Sequence, residues 1–120
     1  MADDEFVERL DGVRRRFAAK LPAKLAEIDS ALPQIAGAGS DVAALVYATH
    51  RKVHDLCGIG PTLGFESTGR AARVCERILL QPSRDQRGLT EQELAHLKEG
   101  LVALRAAIQI DTQSTGAVPE

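Results

Sequence analysis

The segment His50-Arg51-Lys52-Val53-His54-Asp55-Leu56-Cys57-Gly58, continued through Pro61 to Gly64, decides how the rest of the chain is read. It carries two of the three histidines and one of the two cysteines. Leu45, Thr49, Val53 and Leu56 recur at three- and four-residue spacing, the rhythm of a helix with one core-facing side. At about 100° of rotation per residue, His50, His54 and Cys57 fall within roughly 60° of one another. Arg51 and Gly58 lie just on the other side of His54. The apolar stripe is offset from His54 by roughly 100°, so this imidazole stands beside the core with a ring edge accessible. Imidazole is in part neutral near pH 7, and its unprotonated nitrogen is a nucleophile.

Outward from this segment the same periodicity recurs. Gly37-Ala38-Gly39-Ser40 reads as a loop with Ser40 as N-cap, which starts the histidine helix near Asp41 and runs it to about Cys57. Upstream, Phe6, Leu10, Val13 and Phe17 predict a short helix behind the acidic Asp3-Asp4-Glu5. Leu21, Leu25, Ile28, Leu32 and Ile35 predict another. Pro22 suits the first turn of that second helix, or it kinks one long helix; the pattern allows both.

Downstream, Gly58-Ile59-Gly60-Pro61 predicts a turn, and Phe65, Thr68, Ala72, Cys75 and Leu79 a helix over 63–80. Gly69 within it implies close helix packing. Residues 81–88 read as a polar loop, and Thr90-Glu91-Gln92-Glu93 as a capping box before the stripe Leu94, Leu97, Leu101, Leu104 and Ile108. The expected fold is all-α: an antiparallel four-helix bundle with an additional short N-terminal helix, in one domain over 1–110. Residues 111–120 are expected to form a flexible tail.

Composition limits the function. A chain of 120 residues, 44% hydrophobic but only 3% aromatic, builds its interior from aliphatic side chains. A formal charge of −2 gives no electrostatic case for nucleic acid. No apolar run reaches the ~20 residues a membrane span needs, and two cysteines without a secretory signal suggest free thiols. A cytoplasmic monomer is expected. No Ser/His/Asp arrangement, phosphate loop or paired-carboxylate signature suggests a conventional enzyme.

His54, Leu56, Gly58 and Gly64, followed by an amphipathic helix carrying Cys75-Glu76, resemble the core of the histidine-containing phosphotransfer (HPt) domain. That core reads His-x-Leu-Lys-Gly, then Gly ten residues after the histidine, then a helix whose apolar stripe ends in Leu-Glu. The resemblance extends from about Phe6 to Ile110. It implies that His54 is phosphorylated: it accepts a phosphoryl group from a receiver-domain aspartyl phosphate and passes it to another receiver, with no kinase or ATPase activity of its own. It implies two partners, the receiver of a hybrid histidine kinase and that of a response regulator. It implies no cofactor in this chain, with Mg²⁺ on the receiver. Gly58 and Gly64 match the family's small positions, which leave room around the phosphoimidazole and the docked receiver.

One departure stands out. Cys57 occupies the position of the family's lysine, which offsets the phosphoryl charge of about −2. Arg51 can reach the same phosphate, with Lys52 further around the helix. The expectation is transfer with a less stabilised phosphohistidine or an altered partner preference. The receiver is expected to cover Lys52, Asp55, Ile59, Leu63 and Phe65. His50 reads as a solvated neighbour, Cys75 as core, and His96 as uninvolved. Two alternatives remain: a bundle that only docks and sequesters a receiver, and a metal sensor using His50, His54 and Cys57.

Overall fold

The computed structural model describes residues 2–114, with side chains over 4–113. The chain is all-helical: α1 over Ala2–Ala31, a short 3-10 turn over Leu32–Gln34, α2 over Ser40–Thr62, α3 over Glu66–Arg84 and α4 over Glu91–Ser114. Leu21, Ile28, Val53, Leu56, Phe65, Leu79, Leu97 and Leu104 are almost completely buried and form one core with contributions from every helix. Phe17 closes one end of it against Phe65, ring centroids 5.1 Å apart. The only strand-like contact among the described residues is an isolated bridge between Ala36 and Leu89. There the Leu89 amide donates to the Ile35 carbonyl at 2.8 Å and ties the two interhelical segments together.

The separate short N-terminal helix is corrected: residues 2–31 form one continuous α1, with Pro22 inside it. Pro22 removes one amide and crowds the carbonyl four residues earlier. It lies on the exposed side, however, while Phe17, Leu21, Leu25 and Ile28 keep their burial through it. The continuity of the buried stripe outweighs one lost hydrogen bond.

The turn expected at Gly58–Pro61 is corrected as well: α2 runs through it to Thr62. The Thr62 hydroxyl donates to the Gly58 carbonyl at 2.9 Å. Gly60 is buried where the backbones of α2 and α3 meet; a Cβ there would lie 3.3 Å from the Phe65 carbonyl. A Cβ on Gly69 would collide with the Pro61 ring, so the expectation of close packing at Gly69 holds. The reversal comes later. The Phe65 amide donates to Gly60 O at 2.8 Å, the Gly64 amide donates to Pro61 O at 3.0 Å, and Gly64 has φ +91°. That is a Schellman ending with glycine in the left-handed position.

The same device extends α3. The expected loop over 81–88 is helical through Arg84, with Pro82 buried inside it. The Arg87 amide donates to Pro82 O and the Gln86 amide to Ser83 O, with Gln86 in the left-handed position at φ +53°. Polar composition suggested a loop here, but glutamine takes the place glycine usually fills. Ser40 is the first helical residue and not the N-cap, which is Gly39.

The capping box at Thr90 is present. Its hydroxyl accepts from the Glu93 amide at 3.1 Å, and Glu93 Oε1 accepts from the Thr90 amide at 2.8 Å. The tail does not begin at Asp111, since α4 continues to Ser114 and Asp111 is buried. Its Oδ2 accepts from the Thr68 amide at 2.6 Å, so α4 supplies the capping carboxylate that α3 lacks at its own start. Residues 115–120 of the expected tail lie outside the described residues. No helix among the described residues is long and apolar enough to cross a membrane.

Candidate functional site

Val53, Leu56 and Cys57 turn inward from α2, leaving the His54 side chain 60% exposed on the neighbouring face. Across the seam, α3 buries Ala72, Cys75 and Leu79, and the same helical rotation brings Glu76 to the edge of the core beneath His54. Glu76 Oε2 makes a short hydrogen bond with His54 Nδ1. A carboxylate accepts, so Nδ1 carries a proton, and in the neutral ring Nε2 is then the nitrogen with the lone pair.

Glu76 has further polar neighbours. His50 Nε2 lies 3.8 Å from the same oxygen, too far for a hydrogen bond, and is buried without any other partner. The His50 and His54 rings stack with centroids 6.1 Å apart. The Cys57 thiol lies close enough to Glu76 to influence it as well. Partial burial pushes the Glu76 carboxyl up. The hydrogen bond and charge of His54, helped by Cys57 and His50, outweigh this and hold it below its ordinary range. Burial moves His50 the other way, favouring the neutral ring against the attraction of Glu76, with His54, Arg51 and Arg84 reinforcing the shift. Burial and the nearby Glu76 push the Cys57 thiol up to about 12, so it stays protonated.

The sequence-derived candidates separate on this geometry. Arg51 and His54 line one groove, of about 910 Å³, with His50, Tyr47 and Arg84. Gly58 is exposed, and a Cβ there would meet nothing within 4 Å, so the face beside His54 is open. Lys52 instead turns toward α1 and pairs with Glu27 at 3.5 Å. Cys57 is 7% exposed and faces Glu76, which removes it from the surface where the family's lysine would meet phosphate. Gly64 lies beyond the end of α2, two residues after Thr62, and its requirement is the left-handed turn. The expected docking patch also changes: Leu63 and Phe65 are buried, so neither is available to a partner, whereas Ile59 is 48% exposed. His50 is half-buried against Glu76, not a solvated neighbour.

Sequence reasoning quoted Glu76 only within a helix motif and left the partner of the second imidazole nitrogen unnamed. The usable signal was rotational. Glu76 follows buried Cys75 and precedes buried Leu79 by three, which fixes it at the border of the apolar face. Among the described residues no group of three or more His, Cys, Asp or Glu side chains is placed to hold a metal ion.

Comparison of the chain with family models, with curated proteins and with solved structures gives no match. The functional reading rests on the site.

Proposed function

We propose that the protein is an HPt-type phosphorelay intermediate in which His54 accepts a phosphoryl group from a receiver-domain aspartyl phosphate and returns it to a response-regulator receiver. The observation that carries this reading is the Glu76 carboxylate on His54 Nδ1, on an exposed helix face, which makes Nε2 the lone-pair nitrogen of the neutral ring. In the proposed step the Nε2 lone pair forms the N–P bond while the bond from phosphorus to the partner's aspartyl oxygen breaks. The aspartate leaves as a carboxylate, and no proton needs to move. The ring then carries both the phosphoryl group and the Nδ1 proton, so it is cationic, and Glu76 opposes that charge. A cationic phosphoimidazole is a good leaving group, which suits return transfer to the next receiver. The receiver supplies Mg²⁺ and the aspartate.

The proposed fold is the antiparallel four-helix bundle. Several contacts support it. Arg14 Nε donates to Leu63 O while Glu27 pairs with Lys52, as expected if α1 runs against α2. Thr68 meets Asp111 while Gly100 sits against Cys75, as expected if α3 runs against α4. Arg51, which lines the same groove as His54, takes the part of the missing lysine in offsetting the phosphoryl charge.

The test is label transfer from aspartyl-phosphorylated receivers of the source organism to wild type, His54→Gln and His50→Gln. Acid-labile, base-stable label on wild type and His50→Gln, but not on His54→Gln, is the expected outcome. Receiver binding without label on any variant would replace phosphotransfer with sequestration.

A further inference from the structure

The groove beside His54 extends well beyond the histidine. It follows the seam between α2 and α3 from His54 back to Ser40, about 21 Å at the helical rise. Its lining includes the guanidinium groups of Arg51 from α2 and Arg84 from α3, and no carboxylate. In a chain of net charge −2 this is a local excess of positive charge. Four other arginines are neutralised or held: Arg9 by Glu5, Arg87 by Glu93, Arg105 by Asp29, and Arg14 by Asp11 and the Leu63 carbonyl. Arg51 and Arg84 have neither a hydrogen bond nor an ion pair among the described residues, although both lie close enough to His50 to lower its proton affinity. Tyr47, 55% exposed, and half-buried Leu80 give the groove an apolar floor between the two charges.

We propose that this groove is a docking subsite for a carboxylate-bearing segment of the protein that exchanges phosphoryl groups with His54, with Arg84 as a specificity-determining residue. The inference rests on the phosphotransfer reading and extends it, since it names the chemistry of the partner's contact surface. Exposed aromatic and arginine side chains around a groove are the residue types that dominate interface energetics. Free guanidinium groups at the groove margin accelerate encounter with an acidic partner and reject a basic one. The direction of docking also follows. The partner lies over Tyr47, Arg51 and Arg84, on the side of His54 toward the start of α2. The face bearing Lys52 and Asp55 is rotated away from it.

The test compares two phosphoryl donors on the full chain. Phosphoramidate labels histidine without a docking surface. The second donor is the receiver domain of the source organism that labels wild type fastest after charging with acetyl phosphate. For Arg84→Glu, the rate from the receiver is expected to fall about tenfold relative to the rate from phosphoramidate, and to lose most of its salt dependence. Arg84→Lys recovers most of the ratio, and Lys98→Glu on the exposed face of α4 leaves it unchanged. An unchanged ratio in both Arg84→Glu and Arg51→Glu overturns the proposal. Inorganic phosphate binding that is lost in Arg84→Glu while the ratio stays constant assigns the groove to a small anion, and also overturns it. Absence of label on wild-type His54 from either donor rejects the phosphotransfer reading itself, and the docking subsite with it.

Discussion

Glu76 and Glu93 are both partly buried glutamates with several polar neighbours, and the two differ in the chemistry of those neighbours. Glu93 accepts from the Arg87 guanidinium at 2.8 and 3.1 Å and from the Thr90 amide at 2.8 Å. None of those donors changes protonation near neutral pH. The hydrogen bonds from Arg87 outweigh burial, and the Glu93 carboxyl is held at about 2. Glu76 takes its hydrogen bond from the His54 imidazole, with the His50 ring and the Cys57 thiol beside it, groups that titrate or react. One carboxylate locks a loop onto the start of α4. The other accepts from the exposed imidazole that we propose as the nucleophile.

Substitution at the two positions should therefore break different things. Glu76→Gln can still accept from Nδ1 but carries no charge to oppose a cationic phosphoimidazole, and Glu76→Ala removes the acceptor as well. We expect the phosphoramidate labelling rate of His54 to fall by ~10²-fold in Glu76→Ala, in the range usual for loss of a positioned acid–base partner, with a smaller fall in Glu76→Gln. Circular dichroism and the melting temperature should change little. The comparison fails if Glu93→Gln slows labelling as much as Glu76→Ala does.

A third carboxylate sharpens the contrast. Asp111 is buried and caps the Thr68 amide from a different helix, so Asp111→Ala leaves a buried donor without its charged acceptor. A loss of about 2 kcal/mol in urea unfolding is expected, with labelling of His54 retained per folded molecule. Thr90→Ala removes the hydroxyl half of the capping box and should cost about 1 kcal/mol.

The smallest expected effect is in acid. Because the folded-state Glu93 carboxyl is depressed to about 2, its contribution is fully present above the ordinary glutamate range. It is lost as pH falls from about 4.5 toward 2. Glu93→Gln should flatten that part of the stability profile; a profile identical to wild type would mean Glu93 is not held by Arg87 in solution.

Much of this was legible in the chain. Three- and four-residue spacing places Val53 and Leu56 in the core and leaves His54 outside it, and the Thr90–Glu93 spacing predicts the observed capping box. Helix ends were harder to read, because proline and glycine have more than one use. Pro22, Pro61 and Pro82 all lie inside helices. Pro22 is tolerated on an exposed face; Pro61 and Pro82 lie in the last turns, where the helix ends in a left-handed residue. Gly60 and Gly69 permit two backbones to approach, whereas Gly64 makes the turn, and only the three-dimensional neighbours distinguish these roles. Asp111 was missed for the same reason, since its partner is 43 residues away. Glu76 was within reach of a rotational argument but required the α2–α3 pairing to be assigned.

The central claim is that His54 is held as the Nδ1–H tautomer and phosphorylated on Nε2. Long-range proton–nitrogen correlation spectra of the imidazoles, recorded before and after phosphoramidate treatment, test it most directly. The predicted result is an Nδ1-protonated His54 that acquires phosphorus coupling at Nε2, with His50 unmodified. An Nε2-protonated His54, or phosphorus attached to Nδ1 or to His50, would contradict the account.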